Sequence, residues 1–233
     1  MKTLELFTDE ASLKRPVRGV LFDMDGLVID TEKYYTRFWT EAANALGYPM
    51  TFEQGLGMRS LNREAGERQL KSYFGEGISY HEVRNKRIEM MDAYIAKKGV
   101  EKKPGIDELL AWLKSQGIKT SITTSSPMER IDLYLGSVGL RNSFDEIVSG
   151  YMVKNGKPAP DIYEYAAARL GLDPKECIAL EDSPAGLLSA YRAGCMPVMI
   201  PDQDEPDEET KKLLFAKASS LDVVIELIQK MRN

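Results

Sequence analysis

The chain has 233 residues, 43% of them hydrophobic and 29% charged, with 31 basic side chains against 36 acidic ones and a net charge of −5. This is the profile of an ordinary soluble globular protein, long enough for one large domain or one domain with an insert. It lacks the basic footprint of a nucleic-acid binder, so no nucleic-acid partner is expected. Met1-Lys2-Thr3-Leu4-Glu5 does not open a signal peptide, and no apolar run approaches the ~20 residues that span a bilayer. A cytoplasmic monomer without membrane contact is the expectation. Cys177 and Cys195 lie in apolar contexts without metal-ligand spacing and read as structural thiols of a reducing compartment. His81 is the sole histidine and lies in a charged segment, where it reads as a surface residue; its solitude rules out histidine-rich metal sites.

Residues 1–16 carry no motif and read as an extension lying on the core. Residues 17–22, Val-Arg-Gly-Val-Leu-Phe, follow Pro16 with the short apolar, β-branched pattern of a strand buried on both faces. From Lys33 to Val100 the pattern is helical. Tyr34, Phe38, Ala42 and Leu46 recur every four residues, and Gly47-Tyr48-Pro49 ends that helix. Residues 61–74 and 80–98 read as further amphipathic helices, with Leu70, Tyr73, Val83, Met91 and Ile95 as their buried positions.

After Lys103-Pro104-Gly105 strands and helices alternate. The spacing predicts a helix at 105–116, a strand over 118–123, and a helix opened by Ser126 as N-cap, Pro127 in the first turn and Glu129 completing a capping box. A strand over 146–149, a helix over 161–170 ended by Gly171, a strand over 177–180, a helix from Ser183-Pro184 to Gly194 and a strand over 196–200 follow. The acidic run 202–209 reads as a solvated loop, and Ser220 as the N-cap of a closing helix to Met231. Such alternation implies parallel βαβ units with helices on both faces. The expected architecture is an α/β, doubly wound, Rossmann-like core of residues 1–33 and 101–233. An α-helical cap, 34–100, is inserted after its first strand.

The predicted strand ends share one chemistry. The first delivers Asp23 and Asp25 with Gly26; the second Thr123, Thr124, Ser125 and Ser126 at a helix start; a later loop Lys157; a later strand Glu181 and Asp182. Open α/β sheets bind ligands at their carboxyl edge. A helix start with free N–H groups and hydroxyls suits an anion, and several carboxylates suit a hard divalent cation such as Mg²⁺. These are the parts that phosphoryl transfer needs. An EF-hand reading of Asp-x-Asp-Gly fails, because its twelfth position is Tyr34. Taken singly, Lys157 is an ordinary loop lysine and Glu181-Asp182 a common helix start. Their joint placement is what points to a site.

Asp23-Met24-Asp25-Gly26, Thr124, Gly156-Lys157-Pro158 and Glu181-Asp182 resemble, in order, the four motifs of the haloacid dehalogenase (HAD) superfamily. The helical insert resembles its C1-capped branch of sugar phosphatases and β-phosphoglucomutases. The resemblance implies Asp23 as the nucleophile forming an aspartyl-phosphate and Asp25 as general acid and then base. It implies Mg²⁺ held by the Asp23 carboxylate, the Asp25 carbonyl and Asp182, with Glu181 close. Thr124 and the backbone N–H groups of Met24 and Ser125 would bind phosphoryl oxygens, and Lys157 would offset charge. Gly57-Met58-Arg59-Ser60 resembles the branch's substrate-specificity loop. Arg59 is a candidate for a second phosphate or a sugar hydroxyl, or an ordinary surface arginine; Arg84, Lys86 and Arg87 are candidates to help it, and a charged helix face explains them equally well. Glu32 lies at the hinge and is a further candidate.

The mutases carry a histidine in the hinge, where this chain reads Glu32-Lys33-Tyr34-Tyr35. A Mg²⁺-dependent phosphatase acting on a small phosphorylated metabolite, a sugar phosphate by resemblance, is therefore expected. A phosphosugar mutase and a non-catalytic, phospho-accepting receiver-like module are the alternatives.

Overall fold

The computed structural model describes residues 2–58, 61, 63–202 and 205–232. They fall into two compact units, Met1–Asp30 with Glu101–Asn233, and Thr31–Val100.

The first unit is built on a seven-stranded sheet: β1 (Leu4–Leu6), β2 (Gly19–Phe22), β3 (Lys119–Thr124), β4 (Glu146–Ser149), β5 (Cys177–Glu181), β6 (Met196–Met199) and β7 (Ala216–Ala218), in the order β1-β7-β6-β5-β2-β3-β4. β2 lies parallel between β3 and β5, with Phe22 opposite Ile122 on one side and Leu180 on the other. All four of its residues are buried, which is why Gly-Val-Leu-Phe carries no polar alternation. Only β1 runs antiparallel, pairing Leu4 with Ala218 and Leu6 with Ala216. Part of the stretch expected to be an extension lying on the core is therefore an edge strand of the sheet. β1 and β7 have three residues each, too few for a period to register.

The second unit is the helical insert, with α1 (Glu32–Ala45), α2 (Phe52–Leu56), α3 (Arg63–Phe74) and α4 (Tyr80–Lys98). α1 packs along α4, and Trp39, Ala42, Ala43, Leu70, Tyr80 and Val83 share one core. Leu46, expected on the buried stripe, lies past the end of α1 and is 40% exposed. α2 was not anticipated, although its signal is in the sequence. Thr51 and Gln54 form a reciprocal capping box, the hydroxyl accepting from the Gln54 N–H and the Gln54 carbonyl from the Thr51 N–H.

The sheet's helices are α5 (Ile106–Ser115), α6 (Met128–Ser137), α7 (Asp161–Leu170), α8 (Pro184–Ala193), α9 (Glu208–Lys211) and α10 (Val223–Arg232). α9 begins inside the acidic run expected to be a loop, because the Asp207 carboxylate caps the Thr210 N–H. α10 begins at Val223, and the Ser220 hydroxyl donates to Asp222 at 2.6 Å instead of capping it. α6 is capped at Pro127 with no side-chain bond, so the predicted Ser126–Glu129 box does not form. Both corrections have one cause: a tertiary or nearby partner took the serine hydroxyl first. No helix among the described residues is long and apolar enough to cross a membrane.

Candidate active site

The site gathers where β2, β3 and β5 end. The Asp23 N–H donates to the Leu180 carbonyl at 3.0 Å, so the β2–β5 ladder runs on to the first aspartate and fixes its backbone. Three residues later Gly26 turns the chain at φ +80°, a conformation that favours glycine. Asp23 is 9% exposed, whereas Asp25 is half-buried. The Ser126 hydroxyl donates to Asp25 Oδ2 at 3.0 Å, and the Ser126 N–H donates to Thr124 Oγ1 at 3.1 Å. One serine thus ties the second aspartate to the end of β3. Its own carbonyl accepts from Ser149 Oγ at the end of β4, 2.7 Å away.

Lys157 reaches the site from the loop before α7. Its ammonium donates to Asp23 Oδ1 at 2.5 Å, Glu181 Oε1 at 2.6 Å and the Thr123 carbonyl at 2.9 Å. An ammonium has three N–H groups, so this one is held in a single orientation. Glu181, the last residue of β5, is fully buried. Its Oε1 also accepts from the Tyr163 hydroxyl at 2.5 Å, and its Oε2 from Ser183 Oγ at 3.0 Å. The Tyr163 ring lies 5.3 Å from the same ammonium. Gly186, in the first turn of α8, leaves the room this carboxylate occupies, since a Cβ there would stand 2.0 Å from it.

Burial pushes the Asp23 carboxyl up to about 7, with the neighbouring Glu181 and Asp25 charges adding to the rise and Lys157 opposing it. Burial alone would lower Lys157, but the Asp23 and Glu181 carboxylates overbalance it and keep the side chain cationic. Burial, then Glu181 and Asp23, raise the Tyr163 hydroxyl well above its usual value, so it stays a donor.

Asp23, Glu181 and the half-buried Asp182 each present a carboxylate oxygen within 4.8 Å of the others. Three carboxylates against one ammonium leave the cluster negative. Its donors are all hard oxygens, which suits Mg²⁺ better than a soft or borderline metal. The buried acidic cluster can therefore hold a divalent cation.

Of the residues singled out from the sequence, Asp23, Lys157, Glu181 and Asp182 meet here, and Asp25 and Thr124 join them through Ser126. Met24 is buried and Ser125 exposed, one beside each strand end. Glu32 is the first residue of α1 in the helical unit and is half-buried. Arg59 lies outside the described residues. The sequence reading missed Tyr163, which is indistinguishable from a core aromatic until its hydroxyl is placed, and the roles of Ser126, Ser149 and Ser183.

Residues 20–200 match the model of the family described as haloacid dehalogenase-like hydrolase. The chain is 32% identical over 214 residues to a Drosophila melanogaster protein named "Probable pseudouridine-5'-phosphatase", covering 89% of this chain and 92% of that one. It is 28% identical to hexitol phosphatase B of Escherichia coli, covering 90% and 95%. A β-phosphoglucomutase of Bacillus subtilis is 29% identical, covering 78% and 82%. Among solved structures, CbbY from Rhodobacter sphaeroides in complex with xylulose-(1,5)bisphosphate superposes with a TM-score of 0.69 at 25% identity, covering 88% of this chain and 95% of that one. A parallel sheet with helices inserted between β2 and β3, and a family match across both, make one assignment: the chain belongs to the haloacid dehalogenase-like hydrolases, in the branch with a C1-type helical cap.

Proposed function

We propose that this protein is a Mg²⁺-dependent phosphatase that hydrolyses a small phosphorylated metabolite, a sugar phosphate, through an aspartyl-phosphate on Asp23. The observation that carries the reading is the unequal setting of two aspartates on one turn. Asp23 is buried and fixed by a lysine, while Asp25 is more open and held by a serine hydroxyl. A nucleophile needs a fixed attack direction; an acid–base group needs access to the leaving oxygen and to water.

The Asp23 carboxylate, the Asp25 carbonyl and Asp182, with Glu181 close by, would hold Mg²⁺, which when bound offsets charge on the phosphoryl oxygens. Thr124 and the N–H groups of Met24 and Ser125 bind those oxygens. An Asp23 oxygen forms the new bond to phosphorus as the ester P–O bond breaks, and Asp25 gives its proton to the departing alcohol. Asp25, now a carboxylate, takes a proton from the water that attacks the aspartyl-phosphate; inorganic phosphate leaves and Asp23 is regenerated. Lys157 keeps its charge throughout and fixes the Asp23 carboxylate for attack.

Relatives named for hexitol and other carbohydrate phosphates support a sugar phosphate as substrate. A phosphosugar mutase is the second reading, favoured by the relatives named β-phosphoglucomutase. The chain's one histidine, His81, lies on α4 beside Asn85 rather than in the hinge, which favours hydrolysis. Family membership as a hydrolase removes the receiver-like reading. A panel of sugar, polyol and nucleotide phosphates, assayed with Mg²⁺ and with EDTA, tests the proposal. Release of phosphate from sugar phosphates only with Mg²⁺ is expected, and no release above background from any ester would overturn it. Conversion of β-glucose 1-phosphate to glucose 6-phosphate with a bisphosphate activator would establish the mutase instead.

A further inference from the structure

Val83, Arg87, Met91 and Ile95 recur every four residues along α4, and all four are buried. This is the apolar stripe of an amphipathic helix, interrupted by an arginine that is only 6% exposed. Its guanidinium carbon stands 4.5 Å from the centre of the Tyr35 ring and 5.1 Å from that of Trp39, both on α1. Its Nε–H is buried and has no hydrogen-bond partner among the described residues. Two other arginines of the same unit are more exposed and paired, Arg37 with Glu41 at 2.7 Å and Arg68 with Glu64 at 2.6 Å. No ion pair among the described residues includes Arg87.

A buried cation without a carboxylate is costly, and a leucine or methionine would continue the stripe at no such cost. The two rings attract the cation electrostatically but accept no hydrogen bond from its in-plane N–H donors. Those donors form a planar fork that matches the paired oxygens of a phosphate or carboxylate. Tyr35 is half-buried, so the ring beside the guanidinium reaches the surface of the unit. We propose that Arg87, walled by Tyr35 and Trp39, is an oxyanion-binding site of the helical unit, for a phosphate or carboxylate ligand. That ligand has two sources: free anion, or a second anionic group on the substrate. The second source rests on the phosphatase reading above; the site itself does not.

The test compares the full chain with Arg87→Met, which continues the apolar stripe, and Arg87→Lys, which keeps the charge without the planar fork. Inorganic phosphate is titrated in EDTA at matched ionic strength while thermal unfolding is followed. The wild-type Tm should rise with phosphate, the rise should fall at least twofold in R87M, and R87K should lie between. General salt stabilisation is common to all three proteins and cancels. The source is read from the ratio of kcat/KM for a hexose bisphosphate to that for p-nitrophenyl phosphate. A fall of tenfold or more in R87M assigns the site to the substrate's second anionic group; an unchanged ratio with a reduced phosphate shift assigns it to free anion. Equal phosphate shifts in all three proteins would overturn the site. If wild type cleaves neither ester, the phosphatase reading fails while the titration still decides the site.

Discussion

Lys157 and Glu181 meet at 2.6 Å, with the carboxylate fully buried and the lysine side chain 7% exposed. A pair so placed is a stability element as much as a catalytic one, because removing one partner strands a charge without water. Lys157→Met leaves both Asp23 and Glu181 without their ammonium. Breaking such a pair typically costs about 3–5 kcal/mol. K157M should therefore lose roughly that much in urea unfolding without metal, and Mg²⁺ should restore part of it by supplying the missing positive charge. A midpoint unchanged from wild type would mean that the pair does not hold these elements together.

The raised Asp23 carboxyl sets a pH dependence with a definite sign. Its folded pKa of about 7 exceeds the ordinary carboxylate value, so between about 4 and 7 the folded metal-free protein binds a proton that the unfolded chain does not. The contribution of this group to stability is full below about 4 and is lost as pH rises through 7. A cation competes with that same proton. The rise in Tm produced by Mg²⁺ should grow from pH 5.5 to pH 7.5, and the apparent Mg²⁺ affinity should weaken by up to about tenfold per unit below 7. Calorimetry across that range checks it; an affinity flat with pH would contradict it.

Much of this was legible before any coordinates. β2, β3 and β5 announce themselves because buried parallel strands are apolar runs between turn signals. α7 and α8 end at Gly171 and Gly194, both left-handed, as their positions implied. The carboxylates and Lys157 could be gathered because parallel strands deliver their carboxyl ends to one edge. What stayed hidden was of two kinds. Three-residue edge strands carry too little pattern. Side chains with a local and a distant option cannot be assigned locally: Ser126 resembles an N-cap, yet its hydroxyl serves Asp25, 101 residues away. Tyr163 belongs to the same class, since a helical stripe predicts burial and says nothing about the polar end; Arg87, which a charged helix face would leave exposed, is instead buried, because its four-residue spacing puts it on the stripe of Val83, Met91 and Ile95.

Gly186→Ala offers a test in which two effects have opposite signs. In the interior of an exposed helix the change ordinarily stabilises by about 1 kcal/mol. Here the added Cβ would stand 2.0 Å from the Glu181 carboxylate, which already holds Lys157, Tyr163 and Ser183. The carboxylate must shift and carry the lysine with it. G186A should destabilise by about 1–3 kcal/mol, the usual cost of overpacking. It should also lower kcat more than it raises KM, because the displaced group orients the nucleophile. Chemical denaturation and steady-state kinetics on one preparation read both effects, and a stabilised, fully active G186A would mean that Glu181 is not confined as described.

The two aspartates should fail differently. Asp23→Asn removes the attacking oxygen with little change of shape, and turnover of any ester should fall by about a thousandfold or more while the fold persists. Asp25→Asn keeps the nucleophile and loses the proton carrier. With p-nitrophenyl phosphate the departing phenolate needs no proton, so the first step survives, but no base remains to activate water for the second. D25N should release p-nitrophenol in a burst stoichiometric with enzyme and then stall, and borohydride reduction of the stalled adduct should expel phosphate and convert Asp23 to homoserine, read as a loss of mass in the peptide containing it. D23N should show no burst at all. A D23N protein that turns over undiminished would remove covalent capture by this carboxylate from the reaction, and a D25N protein with neither burst nor trapped adduct would remove the division of labour between them.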